Sequence, residues 1–298
     1  MPEISIIIPF YKKHETIERC LQSVKFSTLT YELIIVDDGS APPFDEKLKE
    51  KFPNLILVTQ PNSGPGAARN KGAKIAQGEY LVFLDADDFL HHDFEKEVSL
   101  LMYNRPEVIV GGFYYLGKKL TRQPFFDGEH AVEGILAPAK LNLNEFRLAC
   151  DFFQPGACMI RKDVFEKTKG YYDLKKILFG EDIYLWLQVL LFCPKIYRTS
   201  KILVFVDDNY SVLGVGRKRG KPISALALCY DNEFKPYCIN QNINFLRKFL
   251  FLYRIEISNR LIYEKRYKDL FYFLRNFPQL LLSWSLVSYL LKRIVINR

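Results

Sequence analysis

The sequence predicts an α/β protein with a mostly parallel sheet flanked by helices, followed by a mainly helical C-terminal extension. Short apolar runs alternate with helix-type segments over about the first 90 residues, which is the pattern of parallel strands joined by crossover helices. The runs are continuous, as expected for strands buried on both faces. Hydrophobic residues make up 49% of the 298 residues, enough for a large core, and this excludes a disordered chain.

The predicted elements follow one another closely in the first half of the chain. Strands are predicted over 4–8, 33–36, 55–58 and 80–84, and helices over 14–27 and 67–77. Gly78 is the expected C-terminal stop of the second helix. Further along, strands over 108–110 and 157–160 and a buried helix over 183–191 are predicted, whereas residues 113–150 have the mixed composition of long loops.

Acidic residues crowd the end of the fourth predicted strand. Asp85, Asp87 and Asp88 directly follow its apolar run. Ligands bind where parallel strands end, and three carboxylates there repel one another unless a positive group holds them. Hard cations such as Mg²⁺ and Mn²⁺ prefer carboxylate oxygen, so a metal that carries phosphates is one interpretation. The alternative is that the acids cap the next helix. For Asp88 we expect such a cap, and support of the metal ligands is its other interpretation.

Five segments in order resemble the family 2 glycosyltransferases of the GT-A fold. They read SIIIPFY at 5–11, IIVDDGS at 34–40, GPGAARNKG at 64–72, GEYLVFLDADD at 78–88 and GED at 180–182. The resemblance implies a GT-A catalytic domain over residues 1–212, with a nucleotide-binding half (1–110) and an acceptor half (111–212). Residues 213–298 are then a separate basic, aromatic-rich helical region.

The resemblance also implies a reaction and a donor site. The reaction is transfer of a sugar, with inversion, from a nucleotide-diphosphate sugar, expected to be a UDP-sugar. Carried over by position, Pro9 and Tyr11 would line the nucleotide pocket, Asp38 would accept a hydrogen bond from the base, and Arg69 would lie near the sugar and diphosphate. Judged from the residues alone, Asp38 also suits an Asx turn and Arg69 an exposed helix position.

The remaining acids receive roles in the same way. Asp87 matches the direct ligand of the metal, Mn²⁺ or Mg²⁺, and Asp85 matches the acid that faces the ribose and the metal-bound waters. Asp182 matches the general base that takes the proton of the acceptor hydroxyl, with Glu181 shaping the acceptor site. The alternative for Asp182 is an acid that stabilises the helix dipole. The acceptor is expected to be a glycan or a lipid-linked oligosaccharide.

One feature of the family pattern is missing. Many relatives have a histidine near the position of residues 204–211 that helps to hold the metal or diphosphate, whereas this chain has no histidine between 131 and 298. Either the metal keeps more water, or the basic loop 217–221 closes over the phosphates. A solvated loop is the alternative for this segment.

The net positive charge of the chain comes from its C-terminal region. Residues 214–298 contain 16 Lys and Arg against 5 Asp and Glu, whereas the chain as a whole has a net charge of +8. Aromatic and basic residues over 243–298, with an apolar stretch at 280–291 that includes Trp284 and Tyr289, predict peripheral contact with an anionic membrane. The alternative is that these helices pack on the catalytic domain or on a second subunit of a homo-oligomer.

Other classes of protein explain the sequence less well. The chain lacks the third glycine of the motif that a dinucleotide-binding oxidoreductase needs. It also lacks the glycine-rich signature that a sugar-nucleotide pyrophosphorylase carries after its first strand. A nucleic-acid-binding protein that uses the basic tail leaves the acids unexplained, so no nucleic-acid partner is expected, and a non-catalytic sugar-nucleotide-binding relative remains an alternative. Scattered cysteines and the absence of a signal peptide predict a cytoplasmic protein, and membrane contact through the basic tail would place it at the inner face of the membrane.

Overall fold

A mixed sheet forms the centre of the molecule. The computed structural model describes residues 1–122, 126–127, 130–131, 133–174, 180–207, 209–210, 223–283 and 286–288. The strands of these residues are β1 (Ile4–Phe10), β2 (Tyr31–Asp37), β3 (Leu55–Thr59), β4 (Tyr80–Phe83), β5 (Phe89–Leu90), β6 (Val108–Tyr115), β7 (Leu120–Arg122), β8 (Phe126–Asp127), β9 (His130–Ala131), β10 (Gly134–Leu136), β11 (Cys158–Arg161) and β12 (Ile196–Val206). The main sheet has the order β10-β12-β6-β11-β4-β1-β2-β3, with β5 beside β12 and β7 beside β6, and β8 pairs with β9.

Helices flank the sheet and form the C-terminal part. They are α1 (Ile17–Ser23), α2 (Leu48–Lys51), α3 (Pro65–Ile75), α4 (Phe94–Met102), α5 (Leu143–Phe152), α6 (Lys162–Phe165), α7 (Glu181–Phe192), α8 (Ala225–Leu228), α9 (Asp231–Phe234), α10 (Ile243–Tyr263) and α11 (Tyr267–Asn276). Short 3-10 segments occur at Pro138–Lys140, Lys235–Tyr237 and Pro278–Leu282. The α/β fold class and the helical C-terminal region are therefore confirmed.

Four parallel strands end at one edge of the sheet. β1 pairs in parallel with β2 and β4, and β2 pairs in parallel with β3. The register places Phe10 beside Asp37, Asp37 beside Thr59, and Ile7 beside Phe83. The loops that leave β1, β2, β3 and β4 consequently start close together, and these loops carry most of the predicted donor-site residues.

Some local predictions were wrong. Gly78 does not cap α3, which ends at Ile75; a Cβ on Gly78 would lie 2.5 Å from the backbone nitrogen of Ser5, so glycine allows the chain to pass close to β1. Asp88 does not cap the next helix, because α4 begins after Asp93. Part of the segment expected to be loop forms α5, which starts with a capping box of Asn142 and Glu145.

The predicted halves of the catalytic domain share one sheet. The boundary proposed at residue 110 falls within β6, which lies between β11 and β12 in the sheet. The boundary proposed at 212 falls in residues 211–222, outside the described part of the chain.

The C-terminal helices pack on the part of the molecule that contains the sheet. In α10, the Phe249 ring lies 5.3 Å from that of Phe146 in α5, and Arg147 and Glu256 form an ion pair at 2.6 Å. Buried Arg254 donates hydrogen bonds to the carbonyls of Ala227 (3.3 Å) and Cys229 and stacks on Phe277. The alternative considered for the C-terminal helices, packing on the preceding domain, therefore applies to α10.

Two further features concern the state of the cysteines and whether a helix could cross a membrane. All six cysteines are free thiols, as their scattered positions predict. Among the described helices, we find none with both the length and the apolar character that crossing a bilayer requires.

Candidate active site

Asp37 and Asp38 organise the loops at the ends of β2 and β3. The Asp37 carboxylate accepts bonds from the N–H groups of Ser40 (2.9 Å) and Phe44 (2.8 Å), so Asp37 makes the local turn that we had considered for Asp38. Asp38 is buried and accepts bonds from the Gln60 side chain (2.8 Å) and from the N–H groups of Ser63 (2.7 Å) and Gly64 (2.8 Å).

These bonds fix the loop at residues 60–64 beside the end of β1. Pro9 lies within β1, and Tyr11 follows it with 40% of its surface exposed. Asp38 thus lies at the edge expected for a nucleotide base, but it already has three protein donors. Its contact with a base stays a prediction.

Arg69 is buried between two carboxylates. It extends from α3 and donates to Asp85 Oδ1 (2.6 Å) and to Glu181 Oε1 (2.9 Å), with its guanidinium 5.0 Å from the centre of the Tyr171 ring. Burial alone would lower the pKa of Arg69, but the charges of Asp85 and Glu181 outweigh burial and raise that pKa well above its ordinary value. The exposed helix position considered for Arg69 is therefore wrong. The guanidinium group of Arg69 therefore joins two of the predicted site acids, Asp85 and Glu181.

The three acids after β4 have different environments. Asp85 contacts Arg69, whereas Asp87 forms an ion pair with Lys13 at 2.7 Å. Burial, with the charge of Asp85, raises the pKa of Asp87. Asp88 is buried and accepts a bond from the backbone N–H of Asp207 at 2.9 Å, and burial raises its pKa well above the ordinary range. Asp88 is thus a structural link between this turn and the end of β12.

The donor set after β4 suits a divalent metal. Asp85 and Asp87 offer two hard carboxylates on one turn, and each binds a protein cation through one oxygen. Mg²⁺ is commonly bound by one or two carboxylates together with substrate phosphates and water, so two acids suffice. A different group, of His91, His92 and Asp93, has ligand atoms within 4.8 Å of one another on the turn before α4. That group was not predicted, and it does not include the acids after β4.

Asp182 lies at the start of α7. Its Oδ1 accepts a bond from the N–H of Ile183 at 2.8 Å, as expected for an acid in a first helical turn. Burial, with the charge of Glu181, raises the pKa of Asp182 to about 7, although Arg69 opposes the shift. A carboxyl group with a pKa near neutrality is well matched to general base catalysis.

A close backbone contact holds the start of α7. Gly180 has φ +75°, and a Cβ there would lie 2.2 Å from Ser224 Oγ. The segment before α8 therefore packs directly against the residue that precedes Glu181 and Asp182. Gly66 shows a similar fit at the start of α3, where a Cβ would lie 2.3 Å from the carbonyl oxygen of Tyr172.

Two basic residues of this region were missed from the sequence. Lys13 contacts Asp87, and Arg19 donates to Asp207 at 2.7 Å and to the Asp87 carbonyl at 2.9 Å. Both follow β1 in the chain, and no motif marks them. The basic loop predicted at 217–221 lies outside the described residues, as do Trp284 and Tyr289.

Comparison with known proteins identifies the family of the chain. Residues 5–169 match the family model described as glycosyl transferase family 2. The succinoglycan biosynthesis protein ExoW of Rhizobium meliloti is 30% identical over 232 residues, which cover 72% of this chain and 70% of ExoW. The poly(ribitol-phosphate) beta-glucosyltransferase of Bacillus spizizenii is 41% identical over 110 residues, 34% of this chain and 17% of that enzyme. The chain spans less than half the length of the first curated relatives it matches.

Solved structures share the fold. S. aureus TarS 1–349 in complex with UDP-GlcNAc aligns with a TM-score of 0.59 at 19% identity, covering 87% of this chain and 72% of that chain. The same protein in complex with UDP aligns with a TM-score of 0.56 at 21% identity, covering 69% and 60%. At these identities the likeness shows the fold alone, and it supports the GT-A architecture.

Proposed function

Because the chain belongs to glycosyl transferase family 2, we propose that it transfers a sugar, with inversion, from a nucleoside-diphosphate sugar to a hydroxyl group of a glycan or lipid-linked oligosaccharide. The observation that carries this proposal is the pair of acids joined by Arg69, with Asp85 on one side and Glu181, next to Asp182, on the other. A donor-binding edge and a candidate base are thereby held in one site.

The donor is proposed to be a UDP-sugar. TarS is a related fold whose structures contain UDP and UDP-GlcNAc, which supports this choice. In our proposal Pro9 and Tyr11 line the pocket for the base, and Asp38 accepts a hydrogen bond from it. Asp85 faces the ribose and the cation.

The proposed reaction is a direct displacement. Asp182 takes the proton of the acceptor hydroxyl while the oxygen of that hydroxyl forms a bond to the anomeric carbon. The bond from that carbon to the diphosphate oxygen breaks, and its electron pair leaves with the nucleoside diphosphate. Attack from the face opposite the leaving group inverts the anomeric carbon. Glu181, held by Arg69, shapes the acceptor side.

Asp85 and Asp87 would hold Mn²⁺ or Mg²⁺ in this proposal. When bound, the metal supplies a Lewis acid that neutralises charge on the departing diphosphate. Arg69 fixes the position of the Asp85 carboxylate, so the turn is ordered before the donor arrives.

The test of this function is transfer from a panel of UDP-, GDP- and TDP-sugars with Mn²⁺. We expect a UDP-sugar to be consumed, and we expect EDTA to abolish the reaction and added Mn²⁺ to restore it. Asp87→Asn should lower turnover by at least tenfold, because it removes a charged ligand. Asp93→Asn, in the group with His91 and His92, is the control and should leave turnover unchanged. Full activity in EDTA would contradict the metal assignment, and consumption of none of the sugars would contradict the function.

We also propose that region 243–298 contacts an anionic membrane, and that the solvent face of α11 makes this contact. Tyr267, Phe271 and Arg275 follow one another at i, i+4 and i+8, and Lys268 and Tyr272 lie beside them; all five are exposed. Leu270 and Phe273 face the core instead. Rings interleaved with bases suit the headgroup layer of a bilayer, and a lipid-linked acceptor would be found there.

Flotation with vesicles tests the membrane contact. The wild-type chain should rise with vesicles that contain anionic phosphatidylglycerol and should rise less with purely zwitterionic vesicles. Phe271→Ser combined with Tyr272→Ser should reduce co-flotation severalfold, because it removes the exposed rings. Tyr103→Ser, which alters a ring that is 89% exposed after α4, is the matched control. A wild-type chain that stays at the bottom of the gradient with anionic lipid would contradict the contact.

A further inference from the structure

Lys13 is fixed beside the acids that follow β4. The residue before it, Lys12, has φ +54°, and its N–H donates to Ser40 Oγ at 3.0 Å. The carbonyl of Lys13 accepts bonds from the N–H groups of Thr16 and Ile17, at 3.3 and 3.0 Å, where α1 begins. The backbone of Lys13 is therefore held on both sides, and its side chain extends from a defined point.

The ammonium group of Lys13 bridges two parts of the site. It donates to Asp87 Oδ2 at 2.7 Å and to the carbonyl oxygen of Tyr210, which follows β12. The Lys13 and Asp87 side chains are only 17% and 13% exposed, so solvent screens their pairing weakly. Lys13 thus ties the segment after β12 to the acid that we propose as the metal ligand.

This contact conflicts with metal binding. A divalent cation on Asp87 would repel an ammonium group that lies 2.7 Å from the same carboxylate. The conflict disappears when a diphosphate is present, because its oxygens offer new acceptors for the ammonium group. Arg69 and Arg19 are less suited to such a move, since Arg69 is held by two carboxylates and Arg19 by Asp207.

We propose that Lys13 is a ligand of the donor's diphosphate that exchanges partners. Without donor it neutralises Asp87 and holds the Tyr210 carbonyl; with donor, Asp87 binds the cation and Lys13 turns to the diphosphate. Lys13, which follows β1, would then take over the role of the histidine that the family resemblance leads us to expect after β12. This inference rests on the proposed function, because it requires a nucleoside-diphosphate donor and a metal at Asp87.

The exchange predicts opposite effects of one substitution. Lys13→Met removes the charge and keeps most of the length of the side chain, so Mn²⁺ alone should bind Asp87 severalfold more tightly, because the competing ammonium group is gone. At saturating Mn²⁺, the nucleoside diphosphate should bind about ten- to a hundredfold more weakly, which corresponds to the loss of one charged hydrogen bond. Lys13→Arg should restore most of the nucleotide affinity. Lys25→Met, which removes the same charge from an exposed position after α1, should change neither affinity.

Calorimetric titration measures both affinities, first with Mn²⁺ and then with whichever of UDP, GDP and TDP the wild-type chain binds most tightly. Thermal melting of each variant checks that it is folded. Parallel weakening of both affinities by Lys13→Met would overturn the exchange, because Lys13 would then only position Asp87, and two unchanged affinities would overturn it as well. If the wild-type chain binds none of the nucleotides, the proposed donor fails and the inference fails with it. Normal wild-type binding with an unaffected variant overturns the inference alone.

Discussion

Replacing Asp182 with asparagine is expected to lower the rate of sugar transfer by about 10²–10⁴-fold, the range over which a positioned general base contributes. The amide has nearly the same size and still accepts the bond from the N–H of Ile183, but it cannot take a proton. Single-turnover assays with saturating UDP-sugar and Mn²⁺ measure the loss. Nucleotide affinity, measured by calorimetry, should stay unchanged because our proposal gives Asp182 a role toward the acceptor and not toward the nucleotide.

The pH profile of the wild-type chain gives an independent measure of the same group. Burial and Glu181 raise the pKa of Asp182 to about 7, and only the ionised form acts as a base. We therefore expect kcat/KM to rise with pH, to reach half its maximum near pH 7, and to level off above it. A profile already flat between pH 5 and 8 would contradict Asp182 as the base.

The melting temperature of the Asp182→Asn variant shows whether a loss of activity comes from the missing base or from unfolding. The pKa of Asp182 is higher in the folded chain than the ordinary value near 3.9 for an unfolded one, so the folded state binds the proton more tightly. The stabilisation from this carboxyl is complete below about pH 4 and is lost as the pH rises through about 7. At pH 8 the Asp182→Asn variant should therefore melt no lower than the wild-type chain.

Replacing Arg69 with methionine should destabilise the fold by about 3–5 kcal/mol, the usual cost of removing one partner of a buried ion pair. Asp85 and Glu181 would be left without their shared cation, and the start of α7 would lose its link to the turn after β4. Urea denaturation at pH 8 measures the change.

Two substitutions serve as controls for Arg69. Arg105→Met breaks an ion pair with Glu79 in which the arginine is 73% exposed, and such surface pairs usually contribute about 1 kcal/mol or less. Arg69→Lys keeps the charge but cannot make both bonds with one planar group, so its loss should fall between the two. An Arg69→Met variant that unfolds at the same urea concentration as the wild-type chain would contradict a structural role for this network.

The positions of the predicted acids were accessible from the sequence because parallel strands end at one edge. Continuous apolar runs gave β1, β2, β3 and β4, and the residues directly after them had to come together whatever the details of packing. The identity of each acid's partner was not accessible in this way. Asp38 accepts bonds from a loop more than 20 residues away, and Arg69 meets Glu181 across 112 positions.

The missed residues depend on the order of strands, which local patterns do not encode. Asp88 meets the backbone of Asp207 because β12 runs beside β5, and nothing near either residue predicts that neighbourhood. Lys13 and Asp87 instead follow the paired parallel strands β1 and β4, but no motif marks Lys13 as a site residue. By contrast, α5 could have been found, since Asn142 and Glu145 have the spacing of a capping box. Aromatic and glycine residues nearby led us to expect a loop instead.

The contact between Gly180 and Ser224 has a consequence for how this chain can evolve. Ser224 starts the segment whose carbonyls Arg254 of α10 holds in place, so the helix that carries Asp182 is braced by residues from the last quarter of the sequence. Recombination between relatives that joined a foreign terminus at the start of α8 would separate this helix from its brace. We therefore expect α7 and the C-terminal helices to have been inherited together, even in relatives whose first strands and their loops come from another source.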